Sequence, residues 1–194
     1  GENFDANTFA QQALDLGALF VVIDNKDYQI DDRTILVENS LQALQELAKF
    51  HRSYLGLPIV ALTGSNGKTI VKEWLYQLLR DNYHIVRSPK SYNSQIGVPL
   101  SVWDMQESNS LAIFEAGISE PGEMEKLGQV IHPDIGIFTN LGSAHDENFS
   151  GMEQKAQEKL RLFSHCKKLI YCIPCSIWFI ADSFSTSIRT HFVR

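Results

Sequence analysis

From residue 58 onward, short apolar runs alternate with segments in which apolar residues recur at helical spacing. Runs rich in Ile, Val, Leu and Phe are typical of buried strands and occur at 59–62, 85–86, 111–114, 135–138 and 169–173. Helical spacing appears over 68–80, over 120–131 and after Ser150. Because strands and helices alternate, the pattern predicts an α/β fold with a parallel sheet and helices on its faces.

The first part of the chain has a different and weaker pattern. Apolar residues at 10–17 indicate a short helix, and β-rich runs follow at 19–23 and 34–37. Ser40 is a candidate N-cap for a helix with an apolar face, and Gly56 and Pro58 punctuate the chain after that helix. We therefore predict a first domain over 1–57, a second over 58–173 and an atypical tail over 174–194.

Composition narrows the class of protein. Apolar residues make up 44% and charged residues 21%, which is ordinary for a globular chain. With 17 basic and 23 acidic side chains the net charge is −6, which argues against binding to nucleic acid or to an anionic membrane. Three cysteines provide no disulfide framework. We expect a cytoplasmic protein that binds no nucleic acid and does not insert into a membrane.

The most informative stretch is IVALTGSNGKT, residues 59–69. A buried strand leads into a glycine-bearing turn, and Lys68 and Thr69 open the next helix, so backbone N–H groups and the helix dipole point at one spot. A polyphosphate suits this cradle: Lys68 would reach its terminal phosphates and Thr69 would bind Mg²⁺. Leu62 stands where the general phosphate-loop pattern has glycine, so this is a shorter form. A plain turn with a helix-capping lysine is the alternative.

Two further side chains follow predicted strands and are expected at the same end of the sheet. Glu115 ends the run 111–114, and His145 follows the strand 135–138 after a loop of small residues. Ligands of doubly wound sheets bind beyond the carboxyl ends of the strands, so Glu115 is placed to hold Mg²⁺. A solvated acid and an exposed histidine are the alternatives. Lys159, by spacing alone, is most simply a solvated charge.

Several short motifs occur together in one order along the chain: GENFD (1–5), TGSNGKT (63–69), SYNSQIGVPL (91–100), FEAGIS (114–119) and TNLGSAH (139–145). In this combination the chain resembles the Mur ligases of peptidoglycan synthesis. Within that family it is most similar to the member that joins D-alanyl-D-alanine to UDP-N-acetylmuramoyl-tripeptide, in the form that some bacteria fuse to an alanine racemase.

The resemblance implies a reaction and a set of site residues. ATP would phosphorylate the tripeptide carboxylate, and the amine of D-alanyl-D-alanine would attack the acyl phosphate. The phosphates would be bound by the positions that match the family's phosphate loop, which are Gly64, Ser65, Asn66, Gly67, Lys68 and Thr69. Thr69 and Glu115 would serve one Mg²⁺, and His145 would help to hold a second. Lys159 matches the lysine that the family carbamylates as a metal ligand, and Asn93 lies in a stretch near the substrate. Arg161 stands where the family has an acid.

The family has three domains, and the resemblance implies that this chain covers part of the first and part of the second. After Tyr171 the sequence no longer resembles the family, and we expect no complete ligase turnover from these residues alone. Cys172 and Cys175 form a C-x-x-C pair; a redox or zinc site is conceivable, but ordinary cysteines are favoured. Another Mur ligase, a folylpolyglutamate-type ligase and a non-catalytic ATP-binding module remain the functional alternatives.

Overall fold

A computed structural model describes residues 4–142, 148–172 and 189–193. It divides into two compact units, residues 1–46 and 47–194. The first unit contains helix α1 and two parallel strands, at Ala10–Asp15 (α1), Val21–Ile23 (β1) and Thr34–Leu36 (β2). Helix α2 (Ser40–Leu55) spans the division. The compact units thus divide inside α2, whereas the sequence pattern places the boundary after residue 57; the three predicted domains stay a prediction.

The start of α2 differs from the expected cap. Ser40 is the first residue of the helix, and the side-chain oxygen of Asn39 accepts a hydrogen bond from the Gln42 amide at 2.8 Å, so Asn39 supplies the cap. The Ser40 hydroxyl instead donates to Asp24 at 2.6 Å. Hydrogen bonds from Ser40 and then Asn7 lower the pKa of Asp24 to about 2.

The larger unit is built on one parallel sheet. Its strands are Ile59–Thr63 (β3), Ile85–Arg87 (β4), Leu111–Glu115 (β5), Ile135–Phe138 (β6), Lys168–Cys172 (β7) and Arg189–Val193 (β8). They are arranged in the order β4-β5-β3-β6-β7-β8, with every neighbouring pair parallel. The α/β prediction is confirmed.

Helices cover both faces of this sheet. They are Lys68–Leu79 (α3), Gly97–Trp103 (α4), Glu123–Ile131 (α5) and Met152–Leu160 (α6). Ile59 and Ala61 of β3 belong to the larger core with α4, α5 and α6, whereas Val60 and Leu62 pack with α3. This two-sided burial explains why β3 is apolar at consecutive positions rather than at alternate ones.

Three elements differ from the sequence expectation. Helix α4 was not predicted, because it is short, begins at a glycine and carries Pro99 in its first turn, where proline is tolerated. Strand β8 lies in the predicted atypical tail, and its backbone pairs with β7. Helix α6 begins at Met152 with Gly151 at its N-cap, whereas the spacing of Ser150 and Glu153 predicts a capping box led by Ser150. The Ser150 amide and hydroxyl instead both donate to the Gln154 side-chain oxygen.

Topology decides where a site can form. Strand β3 lies between β5 and β6, so the segments that follow these strands meet at one edge of the sheet. Ligands of open parallel sheets bind at such an edge, beyond the carboxyl ends of the strands.

Across the residues that the structure describes, no helix has both the length and the apolar character needed to cross a membrane.

Candidate functional site

The turn between β3 and α3 depends on two glycines with positive φ. Gly64 has φ +144° and Gly67, the residue before α3, has φ +81°. A Cβ on Gly64 would collide with the Thr139 hydroxyl and would lie 3.0 Å from the Asn140 amide nitrogen, whereas a Cβ on Gly67 would meet open space. Gly64 is therefore required by a close approach, and Gly67 by its backbone conformation alone.

The segment after β6 holds this turn in place. The Thr139 hydroxyl donates to the Asn66 carbonyl at 2.6 Å. Asn140 accepts from two turn amides, through its carbonyl from Ser65 (2.9 Å) and through its side chain from Asn66 (2.9 Å). The Gly142 amide donates to the Ser65 hydroxyl at 2.9 Å. The Ser65 and Asn66 amides already donate to Asn140, so they are not available to an anion. The backbone N–H groups best placed to bind an anion are therefore those of the first turn of α3, which have no acceptor within their own helix.

Lys68 stands at the start of α3, where the helix dipole already favours an anion. Its ammonium donates to the Gly64 carbonyl at 2.8 Å, which folds the side chain over the turn. Burial lowers the pKa of Lys68, and the nearby Glu115 carboxylate opposes that effect. A partly desolvated cation over helix-terminal amides is an arrangement typical of phosphate recognition.

Glu115 and Thr69 are in direct contact. The Thr69 hydroxyl lies 3.0 Å from Glu115 Oε2 and 3.3 Å from Oε1, and the Glu115 side chain is 0% exposed. A carboxylate and a hydroxyl are the hard oxygen ligands that Mg²⁺ prefers. In the described ranges, no group of three or more His, Cys, Asp and Glu side chains is arranged so that it could hold a metal ion by itself. The pair therefore fits a Mg²⁺ that takes its other ligands from phosphate oxygens and water, as this ion usually does.

A buried lysine balances the charge of Glu115. Lys72 lies one helical turn beyond Lys68, and its ammonium is 3.3 Å from Glu115 Oε1 with both side chains 0% exposed. It also donates to the Ser88 carbonyl at 2.7 Å and to the Lys90 carbonyl. A buried carboxylate without a cationic partner is costly, so the contact with Lys72 offsets the cost of burying Glu115.

Helix α6 brings two more lysines to the turn. The Lys159 ammonium lies 3.3 Å from the Gly64 carbonyl, the same oxygen that Lys68 contacts. Lys155, one turn earlier, donates to the Gly142 carbonyl at 2.6 Å. Burial, followed by the charges of Lys68 and Lys155, lowers the pKa of Lys159 to about 7. Lys159 is therefore not a solvated charge but a buried amine that is partly neutral near pH 7.

Asn93 forms part of the opposite wall of a small cavity. Its carbonyl accepts a hydrogen bond of 2.8 Å from the Gly117 amide, and its side chain packs against Gly117 so closely that a Cβ there would lie 3.1 Å from Asn93 Cγ. The cavity has a volume of about 120 Å³ and also contains Gly64, Ser65, Lys68 and Lys159 in its lining. The phosphate turn and Asn93 thus face one space.

The structure brings most of the predicted site residues together. Gly64, Ser65, Lys68, Asn93 and Lys159 line one cavity, and Thr69 contacts Glu115 beside it. His145 and Cys175 lie outside the described residues, so the expectations for them stay predictions. Arg161 points away from the site, to Glu125 (3.5 Å) and Glu158 (3.4 Å).

Lys72 and Lys155 were missed by the sequence analysis. The available signal was helical spacing, since Lys72 is four residues after Lys68 and Lys155 four before Lys159. Thr139 and Asn140 stand inside a quoted motif, but their contacts with the turn depend on the pairing of β6 with β3, which no local pattern reveals.

Comparison with known proteins identifies the family of this chain. The family described as "Mur ligase middle domain" matches residues 62–186 of this chain. The chain belongs to the Mur ligase family. The match extends past Tyr171, where the resemblance was expected to end.

Two curated ligases similar to this chain share one name. The UDP-N-acetylmuramoyl-tripeptide–D-alanyl-D-alanine ligase of Bacillus subtilis is 35% identical over 176 residues, which is 88% of this chain and 38% of that protein. The ligase of the same name from Rickettsia prowazekii is 34% identical over 86% of this chain and 37% of its own length. The chain therefore spans less than half of the length of these relatives.

Solved Mur ligase structures share the fold. The MurF ligase from Thermotoga maritima, solved in complex with ADP, aligns with a TM-score of 0.88 at 29% identity over 99% of this chain and 45% of that one. A MurF structure from Acinetobacter baumannii aligns with a TM-score of 0.91 at 24% identity, over 99% of this chain and 43% of that chain. The second likeness is one of fold alone.

Proposed function

We propose that this chain is the phosphate-binding part of an ATP-dependent ligase that joins D-alanyl-D-alanine to UDP-N-acetylmuramoyl-tripeptide through an acyl phosphate. The names of the curated relatives support this reaction. The contact between Thr69 and the buried Glu115, next to two lysines at the Gly64 carbonyl, is the observation that carries it. This arrangement offers cationic and amide donors to a polyphosphate and hard oxygen ligands to its metal.

The phosphate turn would bind and orient ATP. The first-turn amides of α3 and the Lys68 ammonium would contact phosphate oxygens. The turn residues Gly64–Gly67 would let the backbone come close to the phosphates. Thr69 and Glu115 would hold Mg²⁺, which neutralises charge on the phosphates as a Lewis acid. Since phosphoryl transfer is catalysed mainly by positioning and electrostatic stabilisation, these contacts account for the largest share of the expected rate enhancement.

Lys159 would act as a carbamate, the role that the resemblance implies. The neutral amine is the form that reacts with CO₂: its nitrogen adds to the carbon, one proton is released to solvent, and the neutral amine becomes an anionic carbamate. Burial and two neighbouring lysines favour the neutral amine, with a pKa of about 7. The product would be an oxygen ligand for a second Mg²⁺ together with His145. Asn93, in the cavity wall, would contact the acyl substrate.

Calorimetric titration of Mg·ATP into the 194-residue chain tests the nucleotide part of this proposal. We expect binding by the wild-type chain and its loss in K68A, because the alanine removes the cation that folds over the turn. K126A is the matched control, since Lys126 is an exposed lysine on α5 and leaves the site unchanged. Equal binding by wild type and K68A would contradict the proposal.

A ligase differs from a non-catalytic ATP-binding module in its substrate dependence. In a protein with the full length of the relatives, phosphate release should require both UDP-N-acetylmuramoyl-tripeptide and D-alanyl-D-alanine. Release that requires neither indicates a different function, and release with another amine or a folate substrate indicates another ligase of this kind. A cytoplasmic location belongs to the same proposal, because three cysteines suit a reducing compartment.

A further inference from the structure

Lys72 is a fully buried lysine with more oxygen neighbours than it has protons. Its ammonium lies 2.7 Å from the Ser88 carbonyl, 3.3 Å from Glu115 Oε1 and 3.4 Å from Glu73 Oε1, and closer still to the Lys90 carbonyl. An ammonium has three donors, so these four oxygens compete for it. Lysine is almost never fully buried unless it is paired, which makes this cluster a specific arrangement.

The two carbonyls begin the segment that carries Asn93. We name residues 88–93 the Asn93 segment. Lys90 has φ +51°, a conformation rare outside glycine, which persists only when surrounding contacts enforce it. The hydrogen bond from Lys72 to its carbonyl is one such contact. At its other end the segment is fixed by the Gly117 amide, which donates to the Asn93 carbonyl at 2.8 Å.

Through Glu115, the same ammonium is connected to the candidate metal site. Glu115 Oε1 faces Lys72, and Oε2 accepts the Thr69 hydroxyl at 3.0 Å. Only one carboxylate therefore separates the start of the phosphate-binding helix from the cation that holds the Asn93 segment. The Lys72 ammonium thus contacts Glu115 and the carbonyls of Ser88 and Lys90 at the same time.

We propose that Lys72 is a positioning residue that couples occupancy of the nucleotide and metal site to the Asn93 segment, an inference that rests on the proposed nucleotide function. A divalent cation at Thr69 and Glu115 draws carboxylate charge away from Lys72. The ammonium then binds the Ser88 and Lys90 carbonyls more strongly, because it has lost part of a competing attraction at short range in a buried site. Nucleotide binding thereby tightens the wall of the cavity in which the acyl substrate is expected.

Hydrogen–deuterium exchange of the 194-residue chain, with and without Mg·ADP, measures this coupling directly. In the wild-type chain we expect Mg·ADP to slow exchange both in peptides covering 63–69 and in peptides covering 88–97. In K72M the slowing at 63–69 should persist, whereas 88–97 in the Mg·ADP state should exchange about tenfold faster than in wild type, the factor for one charged hydrogen bond. K126M, an exposed lysine change on α5, should behave as wild type.

A second variant protects the test from misfolding, because K72M leaves Glu115 buried without its cation. K72R keeps that charge, but a planar guanidinium cannot direct its donors as an ammonium does, so it should also lose the slowing at 88–97. If K72M is folded and Mg·ADP slows exchange at 88–97 as much as in the wild-type chain, the coupling is overturned. If K72M is unfolded, the same result in K72R overturns it. Slowing at 63–69 alone in the wild-type chain would overturn the coupling and leave the nucleotide proposal intact. No slowing at either place would overturn both.

Discussion

The Thr69 hydroxyl donates to the Glu115 carboxylate at 3.0 Å, which joins the first turn of α3 to the last residue of β5. The two residues are far apart in sequence and meet because β5 pairs directly with β3. An acid at the end of a strand is usually solvated, but this one is 0% exposed. The fold therefore pairs this acid with the buried Lys72 ammonium, at 3.3 Å, instead of with solvent.

The buried pair of Glu115 and Lys72 predicts a large loss of stability in E115Q. The change removes the fully buried carboxylate from the Lys72 ammonium and leaves only the partly exposed Glu73, at 3.4 Å. Removing one member of a buried pair costs about 3–5 kcal/mol. Urea unfolding followed by tryptophan fluorescence measures this loss. The double variant K72M/E115Q should recover most of it, because no unpaired charge then stays in the interior.

E120Q is the matched control for that measurement. Glu120 is exposed and precedes α5, so the free energy of unfolding of E120Q should differ from that of the wild-type chain by no more than about 0.5 kcal/mol. A loss below about 1 kcal/mol in E115Q would contradict the burial of the charged pair, since surface ion pairs contribute only that much.

The two turn glycines predict unequal effects on nucleotide binding. G64A places a methyl group against the Thr139 hydroxyl at a positive φ, so the turn must leave its support; together, clash and strain of about 3 kcal/mol correspond to a loss of affinity of about a hundredfold. G67A meets open space and adds only backbone strain of about 1–2 kcal/mol. Calorimetry with Mg·ATP compares the two. Equal affinities in the two variants would refute the role assigned to Thr139.

The pKa of Lys159 predicts that the folded state becomes more stable as pH rises above neutrality. The folded pKa is about 7 and the ordinary value is 10.5. Between these values the unfolded chain holds a proton that the folded chain has released, so the free energy of unfolding increases with pH, by at most about 1.4 kcal/mol per pH unit. Urea unfolding at pH 7, 8 and 9 in CO₂-free buffer measures the slope.

K159M should flatten that slope, because methionine fills the site without titrating. K126M should retain it, because Lys126 is exposed on α5. An unchanged slope in K159M would show that another group is responsible for the pH dependence. CO₂-free buffer matters here, since a carbamate on Lys159 would remove the titrating amine.

Local sequence pattern predicted strands β3 to β7 more accurately than the helix starts, and it did not predict β8. Strand β6 has its predicted bounds, and β3 extends one residue further than expected, because a continuous apolar run specifies a strand that is buried on both faces. The start of a helix depends on which side chain caps it. Asn39 and Ser40 could both cap α2, and the residue that caps it is the one whose side chain is not already hydrogen-bonded to a group distant in sequence. Asp24 engages Ser40 in this way.

For the candidate site, the phosphate turn and Glu115 could be predicted because strand–turn–helix geometry is local and strand ends share one edge. The contributions of Lys72, Lys155 and Thr139 could not be predicted in the same way. Each acts on a backbone oxygen that another segment supplies, such as the Ser88 carbonyl for Lys72 and the Gly142 carbonyl for Lys155. Lysine at these positions has no local signature that separates it from a surface lysine.

The position of β3 has a consequence for the order of assembly during synthesis. It is the first strand of its sheet to leave the ribosome, yet both neighbours, β5 and β6, are made later. Until residue 138 has emerged, one side of β3 has no strand to pair with, and Thr139 and Asn140 cannot yet hold the turn at Gly64. The phosphate turn is thus encoded early and completed late. A nascent chain stopped before β6 would expose an apolar strand edge of the kind that chaperones protect.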